Sequence, residues 1–246
     1  MGVSERVGPV RSLYVEPPAA AAEIEWPALQ FSDVFKIYRS GPVETVALRG
    51  LELRIERGEF VTVFGPSGCG KSTMLALAAA LEKPSAGEVR ARDRSLALLD
   101  EPELARYRSS GVALVLQSGN LWPFLTATEN VAVSLRLAGH ADAAAGAQEA
   151  LARFGLDQRA HHRAGALSGG EQQRVAIAAA SARRAPLVLA DEPTGELDAR
   201  NEALVLEALG ELRDAYASTV LVVSHSPRVA QAADRVVEMR DGLVVA

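Results

Sequence analysis

The chain has 246 residues, 26 Lys+Arg against 31 Asp+Glu for a formal charge of -5, and 48% hydrophobic residues. That length and hydrophobicity support a substantial buried core, and the mild acidity argues against a sequence-independent nucleic-acid binder, which needs a dense basic face. The single cysteine, Cys69, excludes an internal disulfide and a multi-cysteine metal site, and no run approaches the roughly 20 apolar residues of a membrane-spanning helix.

Residues 1–27 read as a flexible tail. Pro17 and Pro18 are followed by alanines, and no basic start with an apolar stretch marks a secretory signal. Arg6 stands where a myristoylation pattern needs Ser or Thr. From about Ala28 the sequence becomes patterned. Residues 29–38 and 47–55 alternate partly, as half-buried antiparallel strands do, with a turn around Glu44. Residues 60–64 (FVTVF) form a short apolar strand, followed by a glycine-rich loop over 65–70 and a helix over 71–81. Residues 87–96 read as extended and 101–107 as a short helix. Residues 112–116 form a second buried strand, ending at Gln117.

The stretch 126–183 is mainly helical, with breaks at Gly139 and Gly155. Two further buried strands, 187–189 and 219–223, flank a helix over 201–216. Residues 236–239 and 243–245 form a hairpin turning on Asp241-Gly242. Short apolar strands alternating with helices predict an α/β core with a mostly parallel sheet. To it belong an N-terminal antiparallel β subdomain and an inserted helical subdomain near 118–183, all within one domain over 28–246.

Gly65-Pro-Ser-Gly-Cys-Gly-Lys-Ser-Thr73 matches G-x-x-x-x-G-K-[ST] in the required context, after a strand and opening a helix. The glycines let backbone N–H groups converge on phosphate oxygens, and the following helix presents free N–H groups and a positive dipole end. Lys71 is placed to reach the β- and γ-phosphates and Ser72 to ligate Mg²⁺. Cys69 is either a small filler or a reactive thiol beside phosphate. The strand at 187–189 runs on through Ala190 into Asp191 and Glu192. At the carboxyl end of a parallel strand, Asp191 is placed to hold Mg²⁺ and Glu192 to polarise an attacking water.

Leu167-Ser-Gly-Gly-Glu-Gln-Gln-Arg174 lies between these motifs. Together with residues 65–73 and Ala190-Asp-Glu-Pro-Thr-Gly195, it resembles the ATP-binding subunits of ABC transporters, over roughly residues 29–246. The resemblance implies a P-loop NTPase core that uses ATP and Mg²⁺. Gly65, Pro66, Ser67, Gly68, Cys69, Gly70, Lys71, Ser72 and Thr73 would surround the phosphates. Gln117 would sense Mg²⁺ and the attacking water, so that Ser72, Gln117 and Asp191 make the metal set. Tyr38 would stack on adenine, with Phe35 its nearest rival and strand packing the alternative for both, and Val46 would lie beneath the base or ribose. Asp198 would be the D-loop aspartate, and His225 the switch histidine contacting γ-phosphate. His140, His161 and His162 lack such context and read as surface residues.

In the family, Ser168, Gly169 and Gly170 meet ATP held by the other subunit. The resemblance therefore implies a head-to-tail homodimer closed by two ATP molecules and reopened by hydrolysis, with Lys71, Gln117, Glu192 and His225 serving the reaction. A narrower likeness joins Leu189–Gly195, the run from Gly119 to Asn130 and GEQQRVAIA to lipoprotein-releasing, macrolide-exporter and cell-division ATPases. It implies transmembrane permease partners docking in a groove near Gly119 to Phe124. It places the chain at the cytoplasmic side of the membrane, held there by the partner, with no nucleic acid expected. Trp122 and Phe124 would be exposed anchors or core residues, with equal weight. Ala179 stands where this branch commonly has arginine, Glu196 replaces a small polar residue, and Ser226 replaces an aspartate. The rival readings are a soluble ABC ATPase of DNA repair or translation, a conventional importer ATPase, and a regulatory ATP-binding module.

Overall fold

The computed structural model describes residues 25–195 and 197–245. In chain order its strands are β1 (Leu29–Ser40), β2 (Val43–Ile55), β3 (Phe60–Phe64), β4 (Ala86–Ala91), β5 (Arg94–Ser95), β6 (Val112–Val115), β7 (Leu187–Asp191), β8 (Thr219–Ser224), β9 (Arg235–Arg240) and β10 (Leu243–Val245). The helices are α1 (Lys71–Ala78), α2 (Glu101–Arg106), α3 (Ala127–Leu137), α4 (Ala143–Arg153), α5 (Gly169–Ala182), α6 (Ala199–Tyr216) and α7 (Pro227–Ala232). Four strands form an antiparallel sheet in the order β2-β1-β4-β5. Six form a second sheet in the order β10-β9-β3-β8-β7-β6, parallel except for the β9–β10 hairpin.

The apolar strands at the centre of the second sheet divide their side chains between two cores. Phe60, Val188, Ala190, Val220 and Val222 join α3, α4, α5 and α6 on one face. Val61, Val63, Leu187, Leu189, Leu221 and Val223 face α1 and the antiparallel sheet on the other. Burial on both faces explains why these strands read as continuous apolar runs rather than alternating ones. Helix α1, with Met74, Leu75 and Leu77 buried, fills the space between the sheets.

Several local expectations are corrected. The turn around Glu44 is instead Gly41-Pro42. Ser40 pairs with Val43 and Arg39 with Glu44, which places Glu44 inside β2, facing Arg39 in an exposed ion pair of 2.9 Å. Helix α1 ends at Ala78 because Ala80 turns left-handed, at φ 53°. The extended stretch 87–96 is two strands split by the left-handed Arg92.

The helical middle is interrupted between α4 and α5. Two short 3₁₀ turns there lie against the start of α3, where Ala127 N–H donates to the His162 carbonyl and Thr128 N–H to that of Ala160. Six-residue α7 is too short to show a period in the sequence. It opens with Pro227 and buries Val229. The expected tail falls largely on residues 1–24, outside the described residues, as does Glu196.

Asp234, just before β9, ties the start of β3 to α6. Its Oδ2 accepts from the Phe60 N–H at 2.9 Å, and its Oδ1 from Arg213 Nη1 at 2.6 Å. The hydrogen bond from Phe60 and the Arg213 charge hold its pKa below the ordinary 3.8. A lowered folded pKa contributes stability above the unfolded value and loses it as the pH falls through the folded one. Asp234→Asn should therefore lower the melting temperature near neutrality, and the gap to wild type should close as the pH drops below 3.8. Melting curves across pH check this.

Candidate active site

The loop over residues 65–70 follows β3 and is held from behind by the C-terminal hairpin. Asp241 and Gly242 both have positive φ, 48° and 80°, as a two-residue hairpin turn requires. Gly242 N–H donates to the Cys69 carbonyl at 2.9 Å, and its own carbonyl accepts from Arg49 N–H at 3.1 Å. The fit admits no side chains. A Cβ on Gly65 would stand 2.2 Å from the Met239 carbonyl oxygen, and one on Gly70 would stand 2.6 Å from that of Ala47. Gly70 also takes φ 105° immediately before α1.

Gly68 has open space where a Cβ would be. Cys69 is buried, its Sγ against Gly65, in the position of a filler. Pro66 and Ser67 complete the loop. Lys71 is buried, and its Nζ donates to the carbonyls of Gly65 at 2.7 Å and Pro66 at 3.0 Å. The ammonium is thus directed across the mouth of the loop.

Strands β7 and β8 end beside this loop. Ser72 hydrogen-bonds Asp191, joining the first turn of α1 to the end of β7. Burial pushes the Asp191 carboxyl upward. The Ser72 hydrogen bond opposes this, Glu192 adds to it and Lys71 reduces it. A hydroxyl and a partly desolvated carboxylate in contact fit a divalent cation that completes its shell with phosphate oxygens and water. Among the described residues no group of three or more His, Cys, Asp or Glu gathers as a metal site, and phosphate-bound Mg²⁺ needs only one or two protein ligands.

Glu192 has left-handed backbone, φ 44°, a costly geometry for a non-glycine residue. Its N–H donates to the Val223 carbonyl at 3.0 Å. Ser224 Oγ donates to its Oε2 at 3.0 Å, and His225 Nδ1 lies 2.9 Å from its Oε1. Gln117, just beyond β6, reaches the same place from the other side. A Cβ on Gly195 would be 3.4 Å from Gln117 Nε2 and 3.7 Å from Glu192 Cβ. The structure therefore brings together Lys71, Ser72, Asp191, Glu192, His225 and Gln117 from four separate segments.

Tyr38 is exposed at the end of β1, hydrogen-bonded to Thr73 and, at 2.9 Å, to Glu82. Phe35 is half buried, its ring against Gly50. Half-buried Val46 pairs with Ile37, next to Tyr38. Tyr38 thus stands beside the phosphate loop, whereas Phe35 packs against the sheet.

Ser168, Gly169 and Gly170 form a separate group. Ser168 caps α5 in a reciprocal pair with Glu171, and it is exposed. Backbone donation from Ser168 and the ion pair with Arg159 keep Glu171 below the usual carboxylate range. Among the described residues no hydrogen bond joins 168–170 to 65–73. Their neighbour is instead the Asp198 segment. A Cβ on Gly169 would be 3.7 Å from Leu197, and one on Gly170 would be 2.6 Å from Asn201. Asp198 caps α6 by accepting from the N–H groups of Arg200 and Asn201, and the Asn201 bond lowers its pKa. One chain therefore presents two separate groups: the loop with Lys71 and its neighbouring acids, and a helix N-terminus beside Asp198.

Trp122 and Phe124 are 45% and 66% exposed, so neither is a core residue. Trp122 lines a cavity of about 210 Å³ with Leu121, Leu137, Ala179 and Arg183. His140, His161 and His162 are exposed. Ser226 turns its Oγ to Glu202 on α6 at 2.7 Å. Sequence reasoning passed over Ser224, Asn201 and Met239. Ser224 was findable as the residue before His225. Asn201 and Met239 act by proximity across the fold and carry no local signal.

The family model described as ABC transporter matches residues 48–195. The chain belongs to the ABC transporter family. This ATP-binding cassette is 43% identical over 229 residues to the lipoprotein-releasing system ATP-binding protein LolD of Anaeromyxobacter dehalogenans, covering 92% of this chain and 96% of that protein. It is 40% identical over 232 residues to the macrolide export ATP-binding/permease protein MacB of Azoarcus sp., covering 94% of this chain but only 35% of that protein. The dimeric ATP-binding cassette MJ0796, in a post-hydrolysis state bound to ADP and Pi, superposes with a TM-score of 0.83 at 38% identity. That match covers 89% of this chain and 97% of MJ0796. Among the described residues no helix is long and apolar enough to cross a membrane.

Gly65→Ala forces a methyl group against the Met239 carbonyl. Overpacking of this kind costs about 1–3 kcal/mol. The variant should melt several degrees lower and lose ATP affinity, as read by calorimetry and nucleotide titration.

Proposed function

We propose that the chain is the ATP-hydrolysing subunit of a membrane complex, closing as a head-to-tail homodimer around two ATP molecules and driving conformational change in transmembrane partners. The observation that carries this reading is the separation of the two half-sites. Lys71, Ser72, Asp191, Glu192, Gln117 and His225 converge on one phosphate cradle, while Ser168 and Gly169 are exposed at a helix start elsewhere. A second copy supplies what each cradle lacks. Tyr38 and Val46 then receive the base, and Asp198 lies at the seam.

Within one cradle, residues 65–73 hold the phosphates and Lys71 transfers its ammonium from the carbonyls of Gly65 and Pro66 to phosphate oxygens. Ser72, Asp191 and Gln117 would hold Mg²⁺, which neutralises charge on the β- and γ-phosphates. Glu192 accepts a proton from water as the water oxygen bonds to the γ-phosphorus and the bond to the ADP oxygen breaks, giving ADP and phosphate. His225 and Ser224 fix the Glu192 carboxylate for that transfer, and His225 faces the γ-phosphate. A general base of this type contributes about 100-fold or more. Similarity to LolD and MacB favours lipoprotein release or efflux. In this reading, Trp122 and Phe124 anchor a permease segment at the cytoplasmic face of the membrane.

Glu192→Gln should reduce kcat about 100-fold or more, retain ATP binding and accumulate as an ATP-dependent dimer in size-exclusion chromatography. Tagged Glu192→Gln protein recovered from its native membranes with ATP should bring down a four-helix permease with a large outer domain. Recovery of a many-helix permease with a solute-binding protein would indicate an importer. Recovery of ribosomes or nucleic acid alone would overturn the membrane reading.

A further inference from the structure

We propose that Gln173 and Asn120 are positioning residues, a two-amide clamp that makes the helix bearing Ser168–Gly170 and the backbone of Gln117 move as one body. This rests on the hydrolytic reading above. Gln173 lies on α5, five residues after Ser168, and is only 5% exposed. A buried amide is costly unless its hydrogen bonds are met. Here the loop that follows β6 meets them. Gln173 Nε2 donates to the carbonyls of Leu116 at 2.9 Å and Gln117 at 2.6 Å, and its Oε1 accepts from Asn120 Nδ2 at 3.0 Å.

Asn120 closes the clamp from the loop side. Its Oδ1 accepts from Leu116 N–H at 2.7 Å, and its Nδ2 donates to the Leu116 carbonyl at 2.7 Å. Strand β6 stops at Val115, so the sheet ladder no longer holds residues 116 and 117. These side-chain amides take over that task, and their bonds reinforce one another in a partly buried network.

The clamp has three outlets. Gln117 carries its side chain to Gly195, next to Glu192. Helix α5 begins at Ser168–Gly170. Asn120 lies two residues before the exposed Trp122. A displacement of α5 therefore moves Gln117 relative to Glu192, and pressure on the Trp122 segment reaches both. The clamp makes alignment of the hydrolytic groups depend on where α5 sits, while leaving the phosphate cradle untouched.

The test compares Gln173→Leu, Gln173→Glu and Asn120→Ala with the parent. Gln173→Glu retains size but cannot donate to the two carbonyls. Asn120→Ala breaks the clamp from the loop without altering α5. ATP affinity, measured in the Glu192→Gln background, should stay within about twofold, while kcat falls about tenfold to 100-fold with KM nearly unchanged. In Trp26→Phe protein, ATP should change the Trp122 emission, and each clamp variant should abolish that change. The double variant Gln173→Leu/Asn120→Ala should be no worse than the worse single one, as expected for groups acting as a unit.

An unchanged kcat, an unchanged emission response, multiplicative effects in the double variant, or a fall in kcat matched by a fall in ATP affinity would each overturn the clamp. A parent without turnover would overturn the hydrolysis reading instead, and the clamp is then decided by the emission arm in the Glu192→Gln background.

Discussion

The register of three parallel strands is the constraint on which the site depends. Phe64 pairs with Ser224, and Asp191 with Val223, so β3, β8 and β7 end nearly level. The phosphate loop, the acidic pair and His225 then start from adjacent points at the carboxyl edge of one sheet, where open α/β sheets gather their ligands. A slip of one residue would exchange the side chains that enter the two cores. Burial on both faces therefore fixes the register, and the register fixes the chemistry.

At that edge the chain accepts a local cost. Glu192 leaves the strand in a left-handed turn, φ 44°, while its N–H still bonds to β8 through Val223. The turn brings the carboxylate to Ser224 and His225. Residue 192 is thus held by the neighbouring strand at both backbone and side chain, which sustains a conformation that a glutamate alone would avoid. The exposed start of α5 is built with less strain. Gly170 must be small because a Cβ there would stand 2.6 Å from Asn201, whereas one on Gly169 would only touch Leu197 at ordinary contact distance, and Ser168 is fixed by a capping box that any helix could use. The two groups thus differ in kind: one is strained and partly enclosed, the other an ordinary helix end made special by its neighbours.

Much of this was legible beforehand because the decisive signals are local. A buried strand, a glycine loop with Lys71 and Ser72, and an apolar run ending in Asp191-Glu192 declare themselves within a few residues, as does a hairpin turning on Asp241-Gly242. Other features depend on distant parts of the chain. Glu44 resembles a turn residue until Arg39 is seen opposite it. The 3₁₀ turns after α4 exist because they lie along the start of α3. Trp122 and Phe124 could not be assigned to core or surface, since an aromatic in a loop reads the same either way. Asn201, Gln173 and Met239 matter through partners that sequence spacing does not connect.

The hairpin behind the phosphate loop bears on how the protein assembles. Met239 and Gly242 brace Gly65, Cys69 and Gly70 from more than half the chain away. Contacts of such long range are slow to form, because loop closure must come before their reward. On a ribosome the loop and its helix emerge well before their backing. The nascent chain therefore carries a complete phosphate-binding motif well before it carries a finished nucleotide cradle.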